Sequence, residues 1–242
     1  MKSKASGNGA RIILGALALA LAAGTGWGQS EGPASVNAVG LVRKTLPAGE
    51  FVALGVPLDE AATTAAGTRF GELSFAAALP VGSIAYFWDV ATQTWAWREK
   101  DGLFGWGDLA ERRVASGEAF LLKNQTETDV ELVMRGMMPS AASLGRGLAG
   151  GKVRSLVVNP YPVPRRFEEM DLAGPECAPL GTAVSFWDAE AQAWMTRVRD
   201  VRGGWGTYSN RVVEVGEGFF IQPNADAGLA WEETRPYTWP CD

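Results

Sequence analysis

The sequence predicts a mainly β chain. It is expected to hold two tandem, homologous small modules of sandwich or barrel type, each with at most one short helix, behind an N-terminal signal peptide. Three observations predict this. A segment of 39 residues recurs without a gap. Short β-branched and aromatic runs are punctuated by Gly, Pro and Asp clusters, as in small all-β domains. The first residues follow the order of a secretory signal. The chain has 242 residues, 47% of them hydrophobic and 20% charged. That is enough for two domains of about 100 residues.

The expected signal peptide spans residues 1–28. Lys2, Lys4 and Arg11 form its positive region, and Ile12 to Ala23 is apolar. Such a run reaches about 18 Å as a helix, short of a ~30 Å hydrocarbon core. Small residues from Ala22 to Gly28 offer cleavage after Ala23 or after Gly28. Removing three basic residues and no acidic ones takes the balance from 22 against 27 to 19 against 27, a net charge of −8. The remainder has no second long apolar run, so no membrane span is expected in the mature chain. Periplasmic, cell-surface or extracellular localisation follows as an expectation.

Residues 86–124 align with 185–223 at a constant offset of 99. The identities are Phe87/Phe186, Trp88/Trp187, Asp89/Asp188, Gln93/Gln192, Trp95/Trp194, Arg98/Arg197 and Asp101/Asp200. They continue as Gly105/Gly204, Trp106/Trp205, Gly107/Gly206, Arg112/Arg211, Val114/Val213, Gly117/Gly216, Glu118/Glu217 and Phe120/Phe219, making 15 in 39 positions. Upstream, Leu54-Gly55-Val56-Pro57 matches Val157-Val158-Asn159-Pro160 at an offset of 103. A period of this size marks duplicated modules. Their expected bounds are 33–138 and 139–242, with the Gly-rich segment 139–151 read as a linker.

Within module 1, Val36–Leu46 and Phe51–Val56 read as strands. Ser83–Asp89 and Gln93–Arg98 read as a hairpin on which Trp88 and Trp95 pair across the strands, and the repeated tryptophans are expected to supply the core. Ala119–Lys123 and Asp129–Met134 close the module. Gly218–Gln222 and Gly228–Glu232 repeat this in module 2. Helical character is expected only around 69–79 and 167–172.

Ser35-Val-Asn-Ala-Val-Gly40, Phe87-Trp88, Asn159-Pro160 and Val215-Gly-Glu-Gly-Phe-Phe220 resemble modules of uncharacterised secreted tandem β-repeat proteins of Gram-negative bacteria. Val56 stands where those modules carry Asn, Ala119 stands where they carry Gly, and copy two lacks the Asn-Ala-Val-Gly strand. The resemblance implies fold and compartment, and no activity.

The chain has no histidine. This excludes Ser-His-Asp and Cys-His nucleophiles, imidazole bases and His-ligated metals. Two cysteines exclude a four-cysteine zinc or iron–sulfur site. There is no nucleophile elbow, phosphate loop or dinucleotide fingerprint, and no basic stripe for nucleic acid. No catalytic residue, cofactor or metal site is expected. Cys177 and Cys241 are candidates for one disulfide in an oxidising compartment. Asp89/Asp188 are read as turn formers, and Glu118/Glu217 as residues of a turn before a strand. Trp106 and Trp205, each flanked by glycines, are candidate binding residues with exposed faces; the competing reading is a lid folded over the hairpin. The expected function is that of a secreted, non-catalytic β-module protein with a structural or interaction role. The alternatives are a carbohydrate-binding module using exposed Trp and, third, a carboxylate-only hydrolase. The expected partners are an extracellular polysaccharide or another envelope protein.

Overall fold

The structure is a computed structural model that describes residues 38–59, 67–202 and 204–239; the expected signal peptide lies outside the described residues. It is mainly β. Module 1 runs β1 (Val39–Leu46), β2 (Phe51–Gly55), β3 (Thr68–Arg69), α1 (Ser74–Ala78), β4 (Ile84–Asp89), β5 (Thr94–Glu99), β6 (Arg113–Val114), β7 (Ala119–Lys123) and β8 (Val130–Met137). Module 2 runs β9 (Ser143–Leu148), β10 (Ser155–Val158), β11 (Arg165–Arg166), β12 (Ala183–Asp188), β13 (Ala193–Val198), β14 (Val212–Val213), β15 (Gly218–Gln222) and β16 (Leu229–Thr234). Each half has a 3-10 turn, at Phe70–Glu72 or Phe167–Glu169, and where module 1 then has α1, module 2 has a further 3-10 turn at Asp171–Ala173.

The two halves share one topology. Each has a four-stranded antiparallel sheet, ordered β2-β7-β4-β5 in one and β10-β15-β12-β13 in the other. Each also has a long two-stranded ribbon, β1-β8 or β9-β16, and a short one, β3-β6 or β11-β14. The segment 139–151 is therefore not a linker throughout. Ser143–Leu148 forms β9 and pairs with β16 from Leu148↔Leu229 to Ser143↔Thr234. Copy two thus has the strand that corresponds to β1, written in small residues and Arg146. Glycine and serine masked it because the partner strand, not the strand's own propensity, fixes its conformation.

Side-chain alternation sends the two faces of each sheet to different places. In module 1, Leu54, Phe120, Leu122, Ala85 and Phe87 pack with Phe70, Phe75 and Trp106 beneath the β1-β8 ribbon. In module 2, Val157, Phe219, Ile221, Val184 and Phe186 pack with Phe167, Trp205 and Trp231. The opposite faces meet each other: Ala119, Trp88 and Trp95 lie against Leu156, Val158, Phe220 and Trp194. Trp88 and Trp95 do pair, at 5.0 Å between centroids and 71° between planes, as do Trp187 and Trp194 at 5.2 Å. The expectation that the repeated tryptophans supply the module core holds for Trp106 and Trp205 and is corrected for Trp88, Trp95 and Trp194, which form the layer between modules.

Candidate functional site

The residues shared by the two copies are where chemistry is most readily sought, so their placement decides what the chain can do. Asp89 Oδ1 accepts the Ala91 and Thr92 N–H groups; Asp188 Oδ1 accepts those of Glu190 and Ala191. These are hairpin-tip caps. The Thr92 N–H foremost, with that of Ala91, holds the Asp89 carboxyl below its ordinary range. Asp101 caps the following turn through the Leu103 and Phe104 N–H groups.

Glu118 accepts from Arg112 (2.6 Å) and from the Ala115 N–H. Glu217 does the same with Arg211 and the Glu214 N–H. The guanidinium carbons lie 4.3 Å and 4.2 Å from the ring centroids of Phe87 and Phe186. Nε of each arginine is buried with no acceptor, and the aromatic face beneath partly compensates it. Gly117 and Gly216 turn with φ of 74° and 70°, the left-handed region a glycine enters freely.

Two further features escaped the sequence reading. Gln93 and Gln192 are non-glycine residues with φ of 54° and 49°, a conformation held only when surrounding structure over-determines it. Each clasps the other module. Gln93 accepts the Arg154 N–H and donates to the Arg154 carbonyl, to which Trp88 Nε1 also donates. Gln192 accepts the Phe51 N–H, and Trp187 Nε1 donates to the Phe51 carbonyl. The hairpin tip of each module thus caps the edge strand of the other. The second feature is a pair of partly buried cations at corresponding places in β1 and β9. Desolvation lowers the pKa of Lys44, opposed by Glu217 and Glu214; desolvation likewise lowers that of Arg146, opposed by Glu118. The pseudo-symmetric recurrence of these contacts was the signal available in the sequence: Gln93/Gln192 is an identity with no obvious local role.

Trp106 and Trp205 are not exposed. Each retains 4% accessibility, and their Nε1 atoms donate to the carbonyls of Ala76 (3.0 Å) and Ala173 (3.1 Å). The flanking glycines all have positive φ, from 55° to 60°, which folds the loop back and drives the indole inward against Phe70 or Phe167. The expected exposed binding faces are therefore corrected to core lids. Arg98 pairs with Asp108 (2.5 Å). Cys177 is a buried thiol 3.5 Å from the Ala230 carbonyl, and burial, with Asp171, Glu233 and Glu176 near, pushes it up. Its expected partner Cys241 lies outside the described residues.

Asp171 accepts the Thr234 N–H. Near it lies Glu233, which is fully buried and bound by Arg165, Trp231 Nε1 and the Asp171 N–H. Among the described residues no three His, Cys, Asp or Glu side chains are grouped to hold a metal ion.

Two concavities stand out among the described residues. A cleft of about 440 Å³ lies where the modules meet, lined by Pro57, Asp59, Thr68, Ser116, Pro139 and Leu144 among others, and none of the shared acids reaches it. A second, of about 620 Å³, runs along β5 and contains Trp97, Glu99 and Phe104. Trp97 is 59% exposed and Phe104 80%. No protein-family model, curated protein or solved structure matches the chain.

Proposed function

We propose that the chain is a secreted, non-catalytic β-module protein with a structural or interaction role in the cell envelope or extracellular space. The observation that supports this reading is the fate of the shared carboxylates. Asp89, Asp188 and Asp101 hold turns, and Glu118 and Glu217 hold arginines. A glycosidase pair must flank one bond within about 5–10 Å, whereas here the matched acids belong to separate modules. A second reading, carbohydrate binding, is favoured by Trp97, which carries the exposure that Trp106 and Trp205 lack.

The test is an activity screen of the full chain on polysaccharide, peptide and ester substrates beside Asp89→Asn and Glu217→Gln. The expected result is no turnover and a lower melting temperature in the variants. Turnover that disappears in either variant while it stays folded overturns the reading. Export is checked by sequencing the mature N-terminus, which is expected at residue 24 or 29; an unprocessed cytoplasmic chain overturns that part.

A further inference from the structure

We infer that module 1 carries a site for a neutral oligosaccharide in the groove along β5, with Trp97 as its platform and Tyr86 and Phe104 beside it. This rests on the non-catalytic interaction reading above and gives it a ligand class and an address.

The second module serves as an internal control. On the same backbone, the cross-strand pair Tyr86↔Trp97 of module 1 is Ser185↔Thr196 in module 2. In module 1 the two rings lie 6.2 Å apart and 31° from coplanar; in module 2 the two hydroxyls hydrogen-bond at 2.8 Å. Likewise Glu99 stands opposite Val198, Leu103 opposite Arg202 and Phe104 opposite Gly203 in the repeat. The framework of this region, Asp101, Gly105, Trp106 and Gly107, is the same in both copies. Folding therefore does not require aromatic residues at 86, 97 and 104. Yet Trp97, Leu103 and Phe104 are 59%, 88% and 80% exposed, which costs solvation with no core to offset it.

Size and chemistry select the occupant. About 620 Å³ lies in the range of small-ligand sites, roughly 300–1,000 Å³. Seven lining residues fall far short of the roughly 20–30 per side of a stable protein interface. The groove is lined by two aromatic residues, Trp97 and Phe104, and by the polar side chains of Arg98, Glu99 and Asp101, a mixture that suits a sugar's apolar faces and hydroxyl rim. Its charge is spoken for: Asp108 holds Arg98, and Asp101 is engaged by its own turn. The remaining Glu99 repels anions, so uronates, sulfated glycans and phosphates are disfavoured and a neutral glycan fits. Module 2 also blocks the corresponding strand, because Tyr208 donates its hydroxyl to the Met195 carbonyl of β13 (3.0 Å). Leu109 occupies that place in module 1 and offers no hydroxyl.

The experiment titrates the full chain with cello-, xylo-, laminari- and malto-oligosaccharides, with alginate and heparin as anionic arms and a short extended peptide as a further arm. Calorimetry and tryptophan fluorescence report binding, and a reducing-end assay runs on each mixture. The expected result is saturable binding of at least one neutral glycan and none of the anionic ones. Trp97→Thr and Phe104→Gly, which install the residues of module 2, are each expected to weaken it at least about tenfold with the melting curve unchanged. The inference is overturned if no neutral glycan binds, if both folded variants bind as the parent does, or if only the anionic glycans or the peptide bind. Absence of binding with no new reducing ends leaves the non-catalytic reading standing. Binding lost in Trp97→Thr together with protein-dependent new reducing ends supports the site and overturns the non-catalytic reading instead.

Discussion

At the scale of single residues, the positions that govern this molecule are those where a repeat meets its own counterpart. Gly55 and Val158 are equivalent in the two copies and touch each other. A Cβ on Gly55 would stand 2.5 Å from Val158 Cγ1 and 2.7 Å from the Glu118 carbonyl. Ala119 and Gly218 are likewise equivalent, and a Cβ on Gly218 would stand 2.9 Å from that of Ala119. At such self-contacts one partner must be glycine, which explains why the copies differ there. Gly55→Ala is expected to cost about 1–3 kcal/mol through overpacking, and Val158→Ala to return only part, since the carbonyl still obstructs. Urea midpoints of the single and double variants check this. Gln93→Ala removes two clasps to Arg154 and is expected to cost about 1–2 kcal/mol. Because Trp88 shares the same carbonyl, its Phe variant is expected to be non-additive with Gln93→Ala in a double-mutant cycle.

At the scale of elements, the turns carry the pH response. The carboxyl of Asp101 is depressed by the Phe104 and then the Leu103 N–H groups, and that of Asp108 by Arg98. A depressed carboxyl contributes stability that is present above its unfolded pKa of 3.8 and is lost as pH falls through the lower folded value. Melting temperature is therefore expected to drop below about pH 4, and Asp101→Asn to flatten that limb by lowering the neutral plateau toward the acid value. The Gly-Trp-Gly loops act as lids, so Trp106→Ala is expected to cost about 3–5 kcal/mol. Trp106→Phe, which keeps the ring and loses the bond to the Ala76 carbonyl, should cost less; chemical denaturation measures both.

At the scale of the whole molecule, the two sheets stack face to face through Trp88, Trp95, Trp194 and Phe220, and each hairpin tip covers the other module's edge strand. An isolated module would expose that apolar face and an uncapped edge, both of which invite association. Co-expressed as separate chains, the modules are expected to form a one-to-one heterodimer in preference to either homodimer. Pairing module 2 with itself would set Val158 against Val158, and pairing module 1 with itself would leave Gly55 facing Gly55 over a gap. Native mass spectrometry of the mixture decides this; homodimers at parity would show that the self-contacts do not govern the pairing.

The mainly β class, most strands and the turn roles of Asp89, Asp188, Gly117 and Gly216 were legible in the sequence, because alternation and turn chemistry are local properties. Strand β9 was not, since a Gly- and Ser-rich segment becomes a strand only when β16 is there to pair with it. The destination of each tryptophan was not legible either. Trp88 and Trp106 sit in equally suggestive surroundings, yet one lines the boundary between modules and the other plugs a core. That choice depends on which face of a sheet meets which neighbour, and only the packing of the two halves against each other decides it.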